Sequence, residues 1–504
     1  MPQDESRIPV IVGVGQLSDR PEGDADGLDS VGLMAAALRL ADQDAGGGWL
    51  ARLGALEVVD QMSFPPLSEG LPERVAAALD IRPAHLRRTP DASGDGAVRL
   101  INDAANRIGS GQGEVVAICG GEGLRTAGRR AAKEAAAGTS AKWDIIRQTA
   151  EARRPPFLRK YGLLTPTEIY PFYEQATRAK WGLTLAQAQQ ESAQIWSLCS
   201  AVAADNPHAW IRKAVGAEEV ATLSAENRPI THPYPKLMVA NNAVNQGAAL
   251  LVTSLALAKA AGIAQSRLVY VGRGAAAHEA DDYLGRDAYH HSRGLQVSLT
   301  RTLELNGLAT ADLELVEFYS CFPCMPKMAR RVIGWPLDRP VTVYGGLTFG
   351  GGPIGNCMTH AAAAMVEKLR AGAGTNGLIY ANGGFATHSH SIVLTRVPQP
   401  AGTFPQDYDY QGESDALRDP IPRFLPDYTG AGEIETYVVP YDRAGAPAYA
   451  AVVGRAPGGE RFVARVPKED AATLDFLTAG RREPVGTTGK AVLQSDGYVL
   501  WQPT

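Results

Sequence analysis

The sequence predicts an α/β protein built from two similar halves and extended by a small β-barrel. The first observation is a repeat: residues 7–15 and 267–274 share a basic start, a β-branched run and closing glycines. The second is that a similar order of helices, strands and glycine-rich turns follows each of these segments. The third is a set of short, closely spaced strand patterns near the end of the chain. Duplication of a βαβ-rich unit is the simplest explanation of the first two.

After its first strand, each half passes through the same series of predicted elements. In the first half these are a helix at 30–41, a strand at 55–59, a glycine-rich turn at 91–96, a helix at 97–108 and a strand at 114–119. In the second half they are a helix at 294–306, a strand at 313–318, a glycine-rich turn at 350–355, a helix at 359–370 and a strand at 377–381. Both glycine-rich turns therefore lead into an apolar helix.

Two further regions complete the chain. Residues 121–236 are rich in Arg, Lys, Trp and Tyr, with helical stretches such as 185–204 and no clear strands, which predicts a loop domain packed over the core. A Pro-rich, acidic linker then leads into alternating apolar segments at 433–439, 449–454, 461–466, 489–493 and 498–501. The predicted domains are a first half at 1–120, the loop domain at 121–236, a second half at 237–398 and an antiparallel β-barrel at 405–504.

Composition excludes several classes of partner. The 504 residues carry a formal net charge of -5 and are 45% apolar, and no long Lys/Arg run offers a surface for nucleic acid. No apolar stretch reaches membrane-spanning length, and the polar, acidic start lacks a signal peptide's pattern. We therefore expect a cytoplasmic protein with a small-molecule partner.

The cysteines indicate reduced thiols rather than disulfides or a zinc site. There are five of them, an odd number in a long chain: Cys119, Cys199, Cys321, Cys324 and Cys357. Cys321 and Cys324 form a CxxC pair, but no second Cys/His pair stands at zinc-finger spacing. The sequence therefore predicts no bound metal.

The stretch 316–323 combines a strand pattern with reactive side chains. An apolar, β-branched start predicts a strand, and Pro323 ends its hydrogen-bond ladder, so that Tyr319 to Cys321 fall on the loop beyond it. In open α/β folds the carboxyl ends of the strands form the ligand-binding edge. Functional side chains are therefore expected at Tyr319 and Cys321.

Four segments resemble the active-site loops of the thiolase superfamily. They are residues 242–250, which resemble an N-D-G-A-A helix start; Gly345-Gly346 with 351–353, which resemble a GG…GHP loop; 316–322, which resemble an N-E-A-F loop; and 382–384, which resemble a C-x-G-G loop. The resemblance implies two βαβαβαββ halves stacked as five layers, α-β-α-β-α. It also implies acyl-CoA as substrate and no bound cofactor.

The sequence departs from the thiolase pattern at the positions of the catalytic residues, and this changes the reaction that is expected. The position of the nucleophilic Cys falls on Asp91, that of the GHP histidine on Gly352, and that of the second catalytic Cys on Ala381. The Asn of N-E-A-F falls on Tyr319. Acyl transfer needs a thiol and a base to activate it, and neither standard position is filled, so ordinary thiolytic chemistry is not expected.

The loops that differ from the thiolase pattern resemble those of one family within the superfamily. The runs Y-S-C-F-P, G-G-P and A-N-G-G-F, together with a C-terminal barrel, look like the thiolase-like protein type 1 family. That family is related to the sterol-carrier-protein-type thiolases and is often labelled acetyl-CoA acetyltransferase. The steroid side-chain aldolases are similar in carrying a Tyr where thiolases carry Asn, and they work with an OB-type partner protein. The barrel here is therefore expected to be OB-like.

Four residues are the candidates for catalysis. Tyr319 is expected either to act as an acid or base or simply to pack at the strand end, and Cys321 to be either a displaced nucleophile or a buried small hydrophobe. His360, early in the helix after the second glycine-rich turn, and His388, on the loop after Asn382-Gly383-Gly384, are candidate proton carriers or simply packed histidines.

The remaining site residues are expected to contact substrate. Asp91 is most simply a helix N-cap, and Gly351 and Gly352 form either an oxyanion hole or a tight structural turn. The full set is Asp91, Ser93, Asn245, Gly351, Gly352, Asn382, Gly383 and Gly384.

Three functions remain open. The first is an acyl-CoA-dependent acyltransferase acting on a carbon–carbon bond next to a thioester. The second is a retro-aldolase on a β-hydroxyacyl-CoA, and the third is a non-catalytic acyl-CoA or lipid-binding protein. The expected partner is a CoA thioester, and the chain is expected to be a monomer or a homodimer.

Overall fold

The computed structural model describes residues 4–136 and 144–504, and its first half follows the predicted order of elements. The strands and helices are β1 (Pro9–Ser18), α1 (Ser30–Asp44), β2 (Ala55–Val58), α2 (Leu71–Leu79), β3 (His85–Arg88), α3 (Gly96–Gly109) and β4 (Val115–Gly123). Apolar residues of β1 alternate between two cores, with Val10 and Val12 in one cluster and Ile11 and Val14 in the other. The strand is therefore buried on both faces.

The region between the halves is mainly helical, as predicted, and also contains a small hairpin that the sequence did not indicate. Its elements are α4 (Leu124–Ala136), α5 (Ile145–Arg153), α6 (Pro156–Lys160), α7 (Pro166–Lys180), α8 (Leu185–Asp205), α9 (Ala217–Ala221), β5 (Pro229–Thr231) and β6 (Tyr234–Pro235). A buried ion pair between Lys327 and Glu174, 2.5 Å apart, ties α7 to the second half, and Glu174 also accepts a hydrogen bond from Tyr234.

The part of the core that follows the inserted region has two strands where the sequence predicted other structure. Its elements are β7 (Asn245–Ser254), α10 (Leu255–Ala260), β8 (Val269–His278), α11 (Arg293–Leu305), β9 (Leu315–Phe318), α12 (Cys324–Ile333), α13 (Cys357–Arg370), β10 (Asn376–Gly383), β11 (His388–Thr395) and α14 (Gln411–Ala416). The predicted helix start at 242–250 is wrong, because Asn245 begins strand β7. The predicted loop at His388 is also wrong, because this residue begins strand β11.

The strand order confirms the duplication. One nine-stranded sheet runs β3-β2-β4-β7-β1-β8-β11-β10-β9. Counted outward from its centre, β1, β7, β4 and β2 match β8, β11, β10 and β9. The two halves meet where β1 pairs antiparallel with β8.

The helices lie in three layers around the two halves of the sheet. Helices α3 and α13 contact each other and strands of both halves, and so form the middle layer. Helix α1 packs on β1, β7 and β4, whereas α11 packs on β8 and β11. This arrangement confirms the predicted five-layered α-β-α-β-α fold.

Residues 430–503 form the predicted barrel. Its elements are β12 (Gly430–Val438), β13 (Tyr449–Arg455), β14 (Arg461–Pro467), α15 (Ala471–Thr478), β15 (Thr488–Leu493) and β16 (Val499–Pro503), and the barrel closes in the order β12-β13-β14-β16-β15. The pairings are antiparallel except for β14 with β16, where Arg465 lies opposite Leu500 in a parallel contact. In the described part of the chain, no helix is long and apolar enough to span a membrane.

The barrel is joined to the core by buried polar contacts. Arg461, which is fully buried, pairs with Glu435 and donates hydrogen bonds to the carbonyls of Leu284 and Arg286 at 2.5 Å. Thr436 donates to the carbonyl of Phe172 on α7 at 2.6 Å. The barrel thus packs against both the inserted helices and the loop between β8 and α11.

Candidate functional site

The loop after β9 and the glycine-rich turn before α3 meet at the carboxyl edge of the sheet. Tyr319 follows β9, and its backbone N–H donates to the carbonyl of Tyr380 on β10 at 3.0 Å. A β-carbon built on Gly94 would lie 2.5 Å from the Tyr319 hydroxyl oxygen and would also strike the carbonyl of Asn382. Glycine at position 94 therefore allows three of the predicted site segments to touch.

Two more glycines bring the remaining loops to the same place. A β-carbon on Gly355 would lie 3.0 Å from the carbonyl oxygen of Ala92, so the second glycine-rich turn packs on the first. A β-carbon on Gly383 would strike the side chains of Ser93 and Asp95. The structure therefore brings together Tyr319, Ser93, Asn382 and Gly383, as the sequence predicts for neighbouring strand ends.

Tyr319 is a buried phenol with a thiol beside it. The residue is 8% exposed, and its hydroxyl is hydrogen-bonded to Cys357, the first residue of α13. Burial and the nearby Cys357, Cys321 and Tyr170 raise the pKa of Tyr319 well above its usual value. At neutral pH the phenol is therefore a hydrogen-bond donor and not a base.

The two thiols nearest to Tyr319 are protonated at neutral pH. Burial raises the pKa of Cys321 to about 12 and that of Cys357 to about 12, although the neighbouring side chains of Tyr170 and Tyr319 act in the opposite direction. Cys357 lies at the start of a long helix, where the helix dipole favours a thiolate. Burial outweighs this effect, so neither thiol is an activated nucleophile.

Tyr170, on α7 of the inserted region, contacts the site loops. Its hydroxyl accepts hydrogen bonds from the Asn382 side chain at 2.8 Å and the Ala386 amide at 3.3 Å, and it donates to the carbonyl of Gly384 at 3.1 Å. Its ring stacks on Phe322 with centroids 4.8 Å apart. The turn at 382–386 is therefore fixed by a residue of α7.

Asn382 presents a free acceptor next to these groups. Its side-chain nitrogen donates to Tyr170, whereas its side-chain oxygen is buried and has no hydrogen-bond partner among the described residues. An unpaired buried acceptor favours a donor from a ligand or water. This orphan oxygen supports the predicted substrate-binding role of Asn382.

His388 lies at the open end of the same cluster. Its side chain is 31% exposed, with Nδ1 3.8 Å from Asp95 and Nε2 3.6 Å from the exposed Asp281. Burial alone would raise the pKa of Asp95, but Arg99, Ser93 and the nearby histidines outweigh it and hold the pKa below its usual value. Asp95 is thus an ionised carboxylate that faces the His388 ring.

The structure separates His360 from this cluster. Its Nδ1 is 3.0 Å from the side-chain oxygen of Gln16 on β1, and burial with the nearby His208 lowers its pKa to about 3. These described contacts lie on the β1 side of α13, whereas Cys357, one turn earlier, faces Tyr319. His360 is therefore neutral, and among the described residues it has no hydrogen bond to Tyr319 or Cys321.

The glycine-rich loop at 345–352 is held from several sides. The Gly352 amide donates to the carbonyl of Asn241 at 2.9 Å, so it is already paired. Gly351 has φ of 113°, and a β-carbon there would strike the Gln246 side chain, so only glycine fits. At Gly352 the tight structural turn therefore explains the sequence better than an oxyanion hole does.

Two predicted residues lie apart from the cluster. Asp91 is exposed and five residues before α3, whose N-cap residue is Asp95, so the predicted N-cap at Asp91 is wrong. Asn245 is buried, and its side-chain oxygen accepts the Thr126 amide at 3.0 Å. Asn245 therefore fastens β7 to the start of α4 and has no described contact with Tyr319.

Sequence reasoning missed Cys357, Tyr170 and Asp95. Cys357 directly follows the second glycine-rich turn, a signal available in the sequence at the start of an apolar helix. Tyr170 offered no local signal, because its place in the site depends on how α7 packs against the end of β10. Asp95 was overlooked because the resemblance drew attention to Asp91.

A family model matches the barrel region, and a solved structure is similar to the chain over its whole length. A family model of the thiolase-like protein type 1 additional C-terminal domain matches residues 414–497. A monomeric SCP2-thiolase like protein type 1 from Mycobacterium smegmatis is 28% identical, covers 99% of this chain and 99% of its own, and superposes with a TM-score of 0.81. No curated protein sequence matches the chain significantly.

More distant structures share the core. The Ltp2-ChsH2(DUF35) aldolase is 18% identical, covering 77% of this chain and 98% of its own, with a TM-score of 0.58. The human mitochondrial 3-ketoacyl-CoA thiolase is 14% identical, covering 77% of this chain and 99% of its own, with a TM-score of 0.59. At these identities the likeness shows the thiolase fold alone. The chain joins that fold to the additional C-terminal domain of thiolase-like protein type 1, and the family resemblance predicted from the sequence is confirmed.

Proposed function

We propose that this protein binds an acyl-CoA and cleaves or forms the bond between the α- and β-carbons of its acyl group, by aldol chemistry on a β-hydroxyacyl-CoA. The observation that carries the proposal is the protonated phenol of Tyr319 at the meeting point of the site loops. Aldol chemistry needs a hydrogen-bond donor for the thioester oxygen and a base for the β-hydroxyl, but no thiol. The protonated Cys321 and Cys357 are compatible with that requirement.

The residues divide between these two tasks. Tyr319 would donate to the thioester oxygen, and His388, facing Asp95, would take the proton of the β-hydroxyl. As that O–H bond breaks, the hydroxyl carbon becomes a carbonyl, the carbon–carbon bond breaks, and its electron pair forms the thioester enolate. Protonation of the enolate carbon then gives a shorter acyl-CoA and a free aldehyde or ketone.

Acyl transfer is the second candidate, and the position of Cys357 favours it. This thiol begins a helix of 14 residues and is hydrogen-bonded to Tyr319, so a thiolate formed there would meet both a helix N-terminus and a phenol. The step would need substrate binding to offset the burial that raises the pKa of Cys357. A covalent acyl–protein adduct would identify this route.

One experiment separates the candidates. Wild type and Tyr319→Phe are incubated with a panel of β-hydroxyacyl-CoA thioesters, and the shorter acyl-CoA product is followed by mass spectrometry. We expect Tyr319→Phe to lower kcat at least about 100-fold, the scale of a lost transition-state donor. Tyr270→Phe, which alters a buried phenol on the outer side of the sheet, is the matched control and should retain turnover.

The outcomes assign the function. An unchanged rate in Tyr319→Phe contradicts the proposed donor. An acyl adduct in the intact-protein mass, absent from Cys357→Ser, supports acyl transfer. Lack of turnover on every thioester, with calorimetric CoA binding at micromolar Kd retained, supports a non-catalytic acyl-CoA-binding protein.

The proposal extends to assembly and location. The similar mycobacterial protein is described as monomeric, and a human 3-ketoacyl-CoA thiolase of this fold is described in complex with CoA. We therefore propose a monomer with a CoA thioester as its ligand, located in the cytoplasm, where the five free thiols stay reduced. Sedimentation equilibrium tests the monomer.

A further inference from the structure

A group of metal-ligand side chains lies away from the Tyr319 cluster. Asp287 and His291 belong to the loop between β8 and α11, and Asp419 belongs to the segment between α14 and the barrel. One ligand atom from each of the three lies within 4.8 Å of the others, and the His291 Nε2 is 3.8 Å from an Asp287 oxygen. Ligands of one first-row divalent cation lie about 3–4 Å apart when each is about 2 Å from the metal.

Asp287 is a buried carboxylate held by backbone donors. Its two oxygens accept hydrogen bonds from the amides of Ala288 at 2.8 Å and Asp419 at 3.1 Å. Among the described residues no lysine or arginine donates to this carboxylate, although Arg455 and Arg461 reach the Asp287 main-chain carbonyl. The carboxylate is therefore fixed in place and keeps lone pairs free for a cation.

The ring nitrogens of His291 are the second feature of this group. Both are buried and lack a hydrogen-bond partner among the described residues, although 17% of the side chain is exposed. A buried donor or acceptor without a partner costs about 1–3 kcal/mol. A metal bound at Nε2 would satisfy that nitrogen.

Asp419 is the third candidate ligand, and its side chain has room to rotate. Its side chain is 73% exposed and 3.9 Å from Arg293, so it can rotate toward His291 without breaking a close hydrogen bond. Two carboxylates and one imidazole compensate the charge of a divalent cation and leave positions for water. Imidazole ligation favours zinc and its neighbours over magnesium and calcium.

We propose that Asp287, His291 and Asp419 bind one zinc-class divalent cation that fastens the segment leading into the barrel to the loop before α11. The sequence predicts no metal, because Asp419 stands 128 positions after His291 and no spacing motif links them. The same loop contributes the carbonyls of Leu284 and Arg286 to Arg461 of the barrel. The ion would thus reinforce the joint between core and barrel.

Calorimetric titration of zinc into the untagged, EDTA-treated full-length protein tests the proposal. We expect one saturable site per chain and a rise in Tm with zinc, because ligand binding stabilises the folded form. His291→Ala and Asp419→Asn should each weaken zinc binding at least about tenfold and remove the rise in Tm. His85→Ala, which alters an exposed histidine on β3, is the matched control and should bind as wild type does.

Cobalt substitution adds a spectroscopic test. A nitrogen and oxygen ligand set gives weak visible absorption with no thiolate charge-transfer band, whereas a thiolate ligand would show one. Three results would overturn the proposal: no saturable zinc binding below about 1 mM, binding unchanged in both His291→Ala and Asp419→Asn, or tighter binding of magnesium than of zinc.

Discussion

The hydroxyl oxygen of Tyr319 rests against the backbone of Gly94, where a β-carbon would lie only 2.5 Å away. We predict that Gly94→Ala pushes the phenol out of place. The substitution should lower the free energy of unfolding by about 1–3 kcal/mol, the usual cost of overpacking a core. It should also reduce any Tyr319-dependent turnover. Urea unfolding and steady-state kinetics measure the two effects.

Gly412→Ala is the control for this prediction. Gly412 lies in α14, and a β-carbon there would have no neighbour within 4 Å. Alanine should be neutral or slightly stabilising in a helix. Equal stability of the two variants would show that the contact between Gly94 and Tyr319 is not tight.

The second prediction concerns the thiols. All five cysteines are buried, and burial raises the pKa of Cys321 and Cys357 to about 12. Alkylation requires an accessible thiolate, so the native protein should gain fewer than about one label per chain with iodoacetamide at neutral pH. The unfolded protein should gain five. Fast labelling of Cys321 or Cys357, located by peptide mass spectrometry, would contradict the predicted protonation.

The third prediction concerns Glu317, a buried carboxyl on β9. It accepts hydrogen bonds from Thr342 at 2.7 Å and the Val343 amide at 2.8 Å, and burial raises its pKa from 4.5 to about 8. The folded protein therefore keeps a proton that the unfolded chain loses. The contribution of this group to stability therefore falls by about 1.4 kcal/mol per pH unit as the pH rises from the unfolded pKa of 4.5 to the folded pKa of about 8, and it is constant above that.

Glu317→Gln should remove this pH dependence. The amide resembles the protonated carboxyl, so the variant should become more stable than wild type as the pH rises from about 5 to about 8, with a constant difference beyond. Glu469→Gln, at an exposed side chain, provides the baseline. Parallel stability curves for wild type and Glu317→Gln would show that the carboxyl ionises normally.

The fourth prediction concerns the joint between barrel and core. Arg461 is fully buried, pairs with Glu435 and binds two loop carbonyls. Arg461→Met should cost about 3–5 kcal/mol, because it leaves a carboxylate and two carbonyls without this donor. Arg481→Met, at an exposed ion pair, should cost about 1 kcal/mol or less. Urea unfolding compares them, and similar losses would argue against a special role for Arg461.

Burial on both faces explains the errors in secondary structure. Every residue of β7 is buried, so its sequence contains an apolar run at 248–252 and shows no alternation of apolar and polar residues. Such a run does not distinguish a strand from a buried helix, and here the thiolase resemblance suggested a helix. Strand β11 was missed because its first half, His-Ser-His-Ser, is polar although all but its first residue are buried. Strand β9, Leu315–Phe318, ends where the sequence predicted, five residues before Pro323.

By itself, the sequence determined the duplicated α/β core, the barrel and the position of Tyr319 at a strand end. β-branched runs and glycine-rich turns encode these features, and the residues of each such pattern are neighbours in the chain. Only the tertiary structure decided which distant groups meet. In the structure, His360 contacts Gln16, and Tyr170 and Cys357 contact the site loops. Asp287, His291 and Asp419 lie close together. These contacts depend on how helices and loops far apart in the chain pack together, and no local pattern encodes that packing.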